Sequence, residues 1–155
     1  MNNILVCYFS ASGTTKNVAL KVSEVLNAGL FEIEPVIKYT DEDLDWNDNN
    51  SRSSIEMQDK SSRPKIKNRV LNIDNYDTII IGFPVWWYTC PTIINTFIEE
   101  NDLKNKKIYI FVTSGGSSFG GSLKDLKNSY PDLNFINGKR FNINESEDEI
   151  KKLLV

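Results

Sequence analysis

Histidine is absent from this chain of 155 residues. That absence removes the commonest general base and metal ligand, and with them every Ser-His-Asp or Cys-His arrangement. Hydroxyls, carboxylates, lysines and backbone amides remain, so function falls to a cofactor or to binding. Cysteine is scarce. Cys7 and Cys90 lie far apart in apolar runs and form no C-x-x-C pair, which excludes zinc and dithiol redox readings and fits a reducing compartment. No apolar run approaches the roughly 18 residues of a membrane span. No basic segment followed by an apolar stretch and a small-residue cleavage site opens the chain. The expectation is a soluble, unexported, cytoplasmic protein. An excess of positive charge is also missing: 18 basic and 21 acidic side chains leave a net charge of −3, without the broad cationic surface a nucleic-acid backbone requires.

What is present describes an ordinary globular chain, 40% hydrophobic and 25% charged. Its length suits one domain, residues 1–155, with a core that needs no disulfide or structural metal. Ile4 to Phe9 is continuously apolar, the pattern of a strand buried on both faces. A small-residue turn follows. Then Val18, Val22, Val25 and Leu26 fall on one stripe of a helix over residues 14–26. Phe31 to Ile37 alternates around Pro35 and is expected to form a less central strand. Residues 39–74 are the least regular, with Asp41, Glu42, Asp43, Asp45 and Asp48 around Trp46, and short helices are expected near 41–46 and 50–60. Further strands are expected at 78–82, 107–113 and within 133–142. Helices are expected from Pro91 to about 101, near 122–129, and from about Ser146. Five strands alternating with helices imply an α/β fold with a parallel sheet covered on both sides.

Ligands of open α/β sheets bind outside the carboxyl ends of the strands. Three loops leave that edge. After the first strand, Ser10, Ser12, Gly13, Thr14 and Thr15 place four hydroxyls and a glycine at a helix start, where open backbone N–H groups favour an anion. Capping alone would need a single hydroxyl, so the cluster reads as a phosphate cradle. After the third strand, Pro84, Val85, Trp86, Trp87 and Tyr88 precede Cys90 and Pro91, and three adjacent aromatics there offer a wall for a planar ligand. After the fourth, Thr113, Ser114, Gly115, Gly116, Ser117, Phe119 and Gly120 would let backbone amides approach a flat polar ring.

Competing motifs fail on the same residues. A Walker A loop needs a glycine five positions before its second glycine and then Lys followed by Ser or Thr, whereas Gly13 is followed by Thr14 and Thr15 and has no upstream glycine. A C-x5-R phosphatase loop starting at Cys7 would place its arginine at Gly13. The glycines at 115–121 do not spell G-x-G-x-x-G. Gly116 to Gly120 does spell G-x-S-x-G, but Ser118 has no histidine to activate it.

On these residues the chain resembles the flavodoxin-like proteins that bind FMN. Ser10-x-Ser12-Gly13-Thr14-Thr15 resembles their phosphate loop, (S/T)-x-(S/T)-G-x-T; Gly82 to Trp87 followed by Pro91 resembles their first ring-contacting loop, and Thr113 to Gly120 the second. The resemblance implies a doubly wound five-stranded parallel sheet of order 2-1-3-4-5, in the short-chain form, with FMN at the switch point. It further implies that Ser10, Ser12, Gly13, Thr14 and Thr15 hold the phosphate. Pro84, Val85, Trp86, Trp87 and Tyr88 would line the isoalloxazine, and Thr113 to Gly120 its pyrimidine edge. The implied role is a low-potential one-electron shuttle between a reductase and an acceptor protein, with no catalytic residue and no metal. The alternative is an FMN-dependent NAD(P)H oxidoreductase acting on quinones or other small acceptors. A neutral, aromatic-walled pocket disfavours the extra charge of a reduced, anionic flavin, in keeping with the shuttle. Two departures from the family are visible: segments 84–91 and 113–122 carry no acidic side chain, and the ring loop from 83 to 91 has no glycine where a peptide could turn toward flavin N5.

Overall fold

The computed structural model describes residues 3–70, 72–114 and 119–154. Its strands are β1 (Ile4–Tyr8), β2 (Gly29–Glu32), β3 (Thr78–Pro84), β4 (Lys107–Thr113) and β5 (Asn134–Arg140). They form one parallel sheet in the order β2-β1-β3-β4-β5, as expected. The helices are α1 (Thr14–Val25), α2 (Arg52–Gln58), α3 (Thr92–Glu100), α4 (Gly120–Ser129) and α5 (Glu147–Lys151). Among the described residues no helix is long and apolar enough to cross a membrane.

The continuous apolar runs follow from helices on both faces. Leu5, Cys7, Ile79, Ile81, Ile108 and Ile110 point to one face, against Ile93, Ile94 and Phe97 of α3 and Leu126 of α4. Ile4, Val6, Tyr8, Ile80, Tyr109 and Phe111 point to the other, against Val18, Ala19 and Val22 of α1 and Ile150 of α5. Each buried isoleucine contributes about 1.5–3 kcal/mol by leaving water, so β1, β3 and β4 form a stiff floor beneath their loops. Gly82 is part of that floor. A Cβ on it would lie 2.0 Å from Cζ of Phe111, its register partner on β4, so the Phe111 ring occupies the space a side chain would need.

The second strand departs from its expected bounds, starting at Gly29 and ending at Glu32 rather than spanning 31–37. Asn27 takes a left-handed φ of 51° and turns the chain from α1 straight into the sheet. Beyond Ile33, whose N–H donates to Tyr8 O at 2.6 Å, the chain leaves β1. Pro35 has no N–H to offer the ladder, and its flanks instead pair with residues 65–67: Val36 N–H donates to Lys65 O (2.9 Å) and Lys67 N–H to Glu34 O (2.7 Å).

The helix expected near 41–46 is a run of turns. Thr40 and Asp43 bond reciprocally through side chain and backbone, and the Asp45 and Asp48 carboxylates accept from Asn47 N–H and Asn50 N–H. Short acidic side chains that capture nearby amides compete with helical bonds. The other helix of this segment exists as α2, capped by Ser51, which accepts from Ser54 N–H. Pro91 stands at the N-cap of α3, with the helix starting at Thr92.

Candidate functional site

The loops after β1, β3 and β4 emerge together at the carboxyl edge of the sheet and are joined through Thr113. Its Oγ1 lies 2.7 Å from Oγ1 of Thr15, and its carbonyl accepts from Val85 N–H at 3.0 Å. One residue at the end of β4 thus holds the first turn of α1 and the start of the ring-side loop.

The loop after β1 is built around Gly13, which stands at the N-cap of α1 with φ of 96°. Only glycine adopts that conformation without strain. A Cβ at Gly13 would meet nothing within 4 Å, so the space above it is open. Ser10 Oγ accepts from Gly13 N–H at 3.1 Å and shapes the turn, while the N-cap residue, a glycine, supplies no side-chain cap to α1. The first N–H groups of the helix, from Thr14 onward, have no acceptor within it. Ser12 and Thr14 are exposed at this mouth. Thr15 is buried at 2% exposure, its hydroxyl already engaged with Thr113. Lys16 lines an adjoining cleft of about 300 Å³, together with Ser10, Ala11, Tyr39, Lys38 and the carboxylates of Glu32 and Glu34.

The loop after β3 is crowded. Val85 and Trp86 are half-buried against the core. Trp86 and Thr89 exchange two backbone hydrogen bonds of 3.0 Å, closing a two-residue turn in which Trp87 (φ 48°) and Tyr88 (φ 65°) are both left-handed. Turns of this form favour Asn-Gly, and each non-glycine residue in that region costs about 1–2 kcal/mol. Both side chains project outward, Trp87 46% and Tyr88 79% exposed. The turn rests on α4, where a Cβ at Gly121 would come within 2.5 Å of the Tyr88 carbonyl oxygen. At its far end Cys90 is buried, and burial pushes its thiol up to about 12. Cys90 Sγ donates to Asn95, Asn95 donates to the Tyr130 hydroxyl, and that hydroxyl donates to Glu99, which is also paired with Arg63.

Of the third loop, Thr113 and Ser114 at one end and Phe119 and Gly120 at the other are described. Gly115, Gly116 and Ser117 lie outside the described residues. Phe119 stands at the N-cap of α4, and its ring approaches Gly138 of β5 so closely that a Cβ there would be 3.1 Å away.

Several contributors carry no motif. Phe9, Tyr39 and Trp86 pack as three rings, with centroids 5.5–5.7 Å apart. Arg52 and Glu56 hold Tyr39 from α2, and Gly121 seats the ring-side turn. The (i, i+4) spacing of Arg52 and Glu56 was a readable signal for a helix pair. Nothing in the local pattern placed Tyr39 at this rim, because that contact depends on how residues 33–39 leave the sheet.

The arrangement places an uncapped helix start and a lysine beside an aromatic wall, the chemical needs of a ligand with a phosphate at one end and a flat ring at the other. A family model described as Flavodoxin matches residues 3–155. A candidate flavoprotein from Bacteroides eggerthii is 46% identical, with 100% of this chain and 99% of that one covered at a TM-score of 0.96. A flavoprotein from Lactobacillus acidophilus, solved in complex with FMN, is 27% identical over 100% of both chains at a TM-score of 0.78. Oxidised flavodoxin 2 from Bacillus cereus, 18% identical with 97% and 92% covered, has a TM-score of 0.55, a likeness of fold alone. No curated protein matches the chain.

Proposed function

This chain belongs to the flavodoxin family, and from that premise we propose that it binds FMN and carries electrons one at a time between partner redox proteins in the cytoplasm. The observation that carries the reading is the meeting of three loops on Thr113, with the open start of α1 on one side and the Trp86 wall on the other. FMN bound to the Lactobacillus acidophilus relative supports the choice of cofactor. When bound, FMN supplies the redox chemistry.

The chain's own residues divide the remaining work. The N–H groups of Thr14, Thr15 and Lys16, with the hydroxyls of Ser12 and Thr14, bind the phosphate; Lys16 balances part of its charge. Trp86 and the neighbouring ring loop orient the isoalloxazine and exclude water from one side of it. Segments 84–91 and 113–122 add no acidic side chain, so the wall disfavours charge build-up on the ring through low polarity rather than through repulsion.

The wall contributed by Tyr39 favours a second reading, in which an enclosed pocket serves an NAD(P)H oxidoreductase with a small acceptor. Stepwise anaerobic reduction of the FMN-loaded protein, followed by visible absorption, separates the two. The carrier reading expects a distinct one-electron stage and no steady consumption of NAD(P)H without a partner reductase. Direct two-electron reduction with NAD(P)H turnover on quinone would overturn it.

A further inference from the structure

Residues 39–58 carry none of the phosphate or ring motifs, yet they meet the ring-side loop at one defined place. Tyr39 stands edge-on to Trp86, with centroids 5.5 Å apart and planes at 74°, and edge-on to Phe9, at 5.6 Å and 65°. Phe9 completes the triangle with Trp86 at 5.7 Å and 88°. Such edge-to-face contacts are the favoured geometry of aromatic pairs. Phe9 is 1% exposed and continues β1, so it is a fixed base. The Trp86 backbone is pinned by its two hydrogen bonds to Thr89, which leaves the orientation of the indole to its side-chain neighbours.

Tyr39 is itself held from α2. Its hydroxyl donates to Glu56 Oε1, and the Arg52 guanidinium lies 3.8 Å from its ring centroid. Arg52 Nε donates to Glu56 Oε2 at 3.0 Å, and Nη1 donates to the Ile37 carbonyl at 2.6 Å. Burial and the bond to Glu56 raise the Tyr39 hydroxyl well above the usual phenol range, so it stays a donor at neutral pH. Opposite charges on Arg52 and Glu56 offset one another, and the network adds rigidity without net charge at the rim.

The geometry points to Tyr39 as a positioning residue of the flavin site: it holds the Trp86 indole in place before the ligand arrives, and Arg52 and Glu56 hold Tyr39. This rests on the FMN reading above. A ring fixed in advance spares the ligand the entropy of ordering it. The contact acts through Trp86 on the isoalloxazine end of the ligand, so its loss weakens FMN and riboflavin by the same factor.

The test uses the whole chain labelled with 5-fluorotryptophan, in which Trp86 is assigned by Trp86→Phe. In the flavin-free protein, Tyr39→Leu shifts or broadens the Trp86 resonance and leaves that of Trp46 in place. FMN and riboflavin each bind the variant roughly tenfold more weakly than wild type, the loss expected for one aromatic contact. Tyr39→Phe, which keeps the ring, stays within about threefold of wild type, a loss matching one modest hydrogen bond. Should Tyr39→Leu fail to fold, Arg52→Gln replaces it, with a Trp86 shift and a weakening between those of the two Tyr39 variants. An unmoved Trp86 resonance, or flavin affinities equal to wild type, would overturn the inference while leaving FMN binding intact. A wild-type chain that takes up no FMN would overturn the functional reading and this inference with it.

Discussion

The loops after β1 and β3 leave neighbouring strands at the same edge, yet they are built in opposite ways. The first is open: Gly13 faces free space and, being glycine, offers α1 no side-chain cap. Its hydroxyls do not form one uniform set, since Ser10 and Thr15 are used inside the protein while Ser12 and Thr14 face outward. The second loop is closed upon itself by the 86–89 turn, braced by Tyr39 on one side and Gly121 on the other. A phosphate is recognised by backbone donors left unsatisfied, and a ring by side chains fixed beforehand. On the proposed reading, one loop would work by what it leaves undone and the other by what it has already settled.

The largest expected disturbance comes from removing the seat of the second loop. Gly121→Ala drives a Cβ into the Tyr88 carbonyl, and the required shift costs about 1–3 kcal/mol of stability by overpacking. Thermal unfolding checks the cost, and FMN titration is expected to weaken with it. Next comes the division of labour in the first loop. Thr15→Val leaves the buried Thr113 hydroxyl without its partner, a loss of about 1–3 kcal/mol of stability. Thr14→Val leaves the melt within about 0.5 kcal/mol, as surface substitutions do, while weakening FMN by several-fold. Equal melts for both variants would erase the distinction between inward and outward hydroxyls.

A smaller effect of opposite sign tests the strain in the second loop. Tyr88→Gly relieves a left-handed φ of 65° at a side chain 79% exposed, and denaturant unfolding should show a net gain of about 0.5–1 kcal/mol after the added backbone entropy of glycine. The smallest effect lies behind that loop, in the brace of Arg63, Glu99 and Tyr130. Donation from Arg63, joined by the Tyr130 hydroxyl, holds the Glu99 carboxyl below the usual range. A lowered folded-state value means that its contribution is present above the ordinary carboxylate range and lost as pH falls through the lowered one. Glu99→Gln should therefore cost less than about 1 kcal/mol at pH 7, because the pair is partly exposed. The wild-type and variant stabilities converge in acid, which unfolding midpoints measured from pH 7 down to pH 3 would check.

The sheet was legible because its strands are buried on both faces, and a continuous apolar run such as Ile4 to Phe9, too short for a membrane span, suits a strand covered from both sides. The turn after β1 was legible for a similar reason: hydroxyls and glycine between an apolar run and a helical stripe are a local pattern read locally. Composition also flagged the aromatic loop, but not its geometry. Two successive left-handed residues without glycine run against local preference, and they are held by Gly121, more than thirty residues further along the chain. Tyr39 was hidden for a related reason. Pro35 ends the pairing of β2 early and sends the chain across the rim, where tertiary contacts alone decide what it touches.

The most direct measurement compares FMN with riboflavin, two ligands with the same ring that differ by the phosphate, in calorimetric titrations of the flavin-free protein. An open, uncapped α1 predicts that FMN binds at least tenfold more tightly than riboflavin, and that Thr14→Val narrows this gap while leaving riboflavin unaffected. Equal affinity for the two ligands, or a gap that Thr14→Val leaves unchanged, would contradict the account of the β1 loop as the phosphate-binding half of the site.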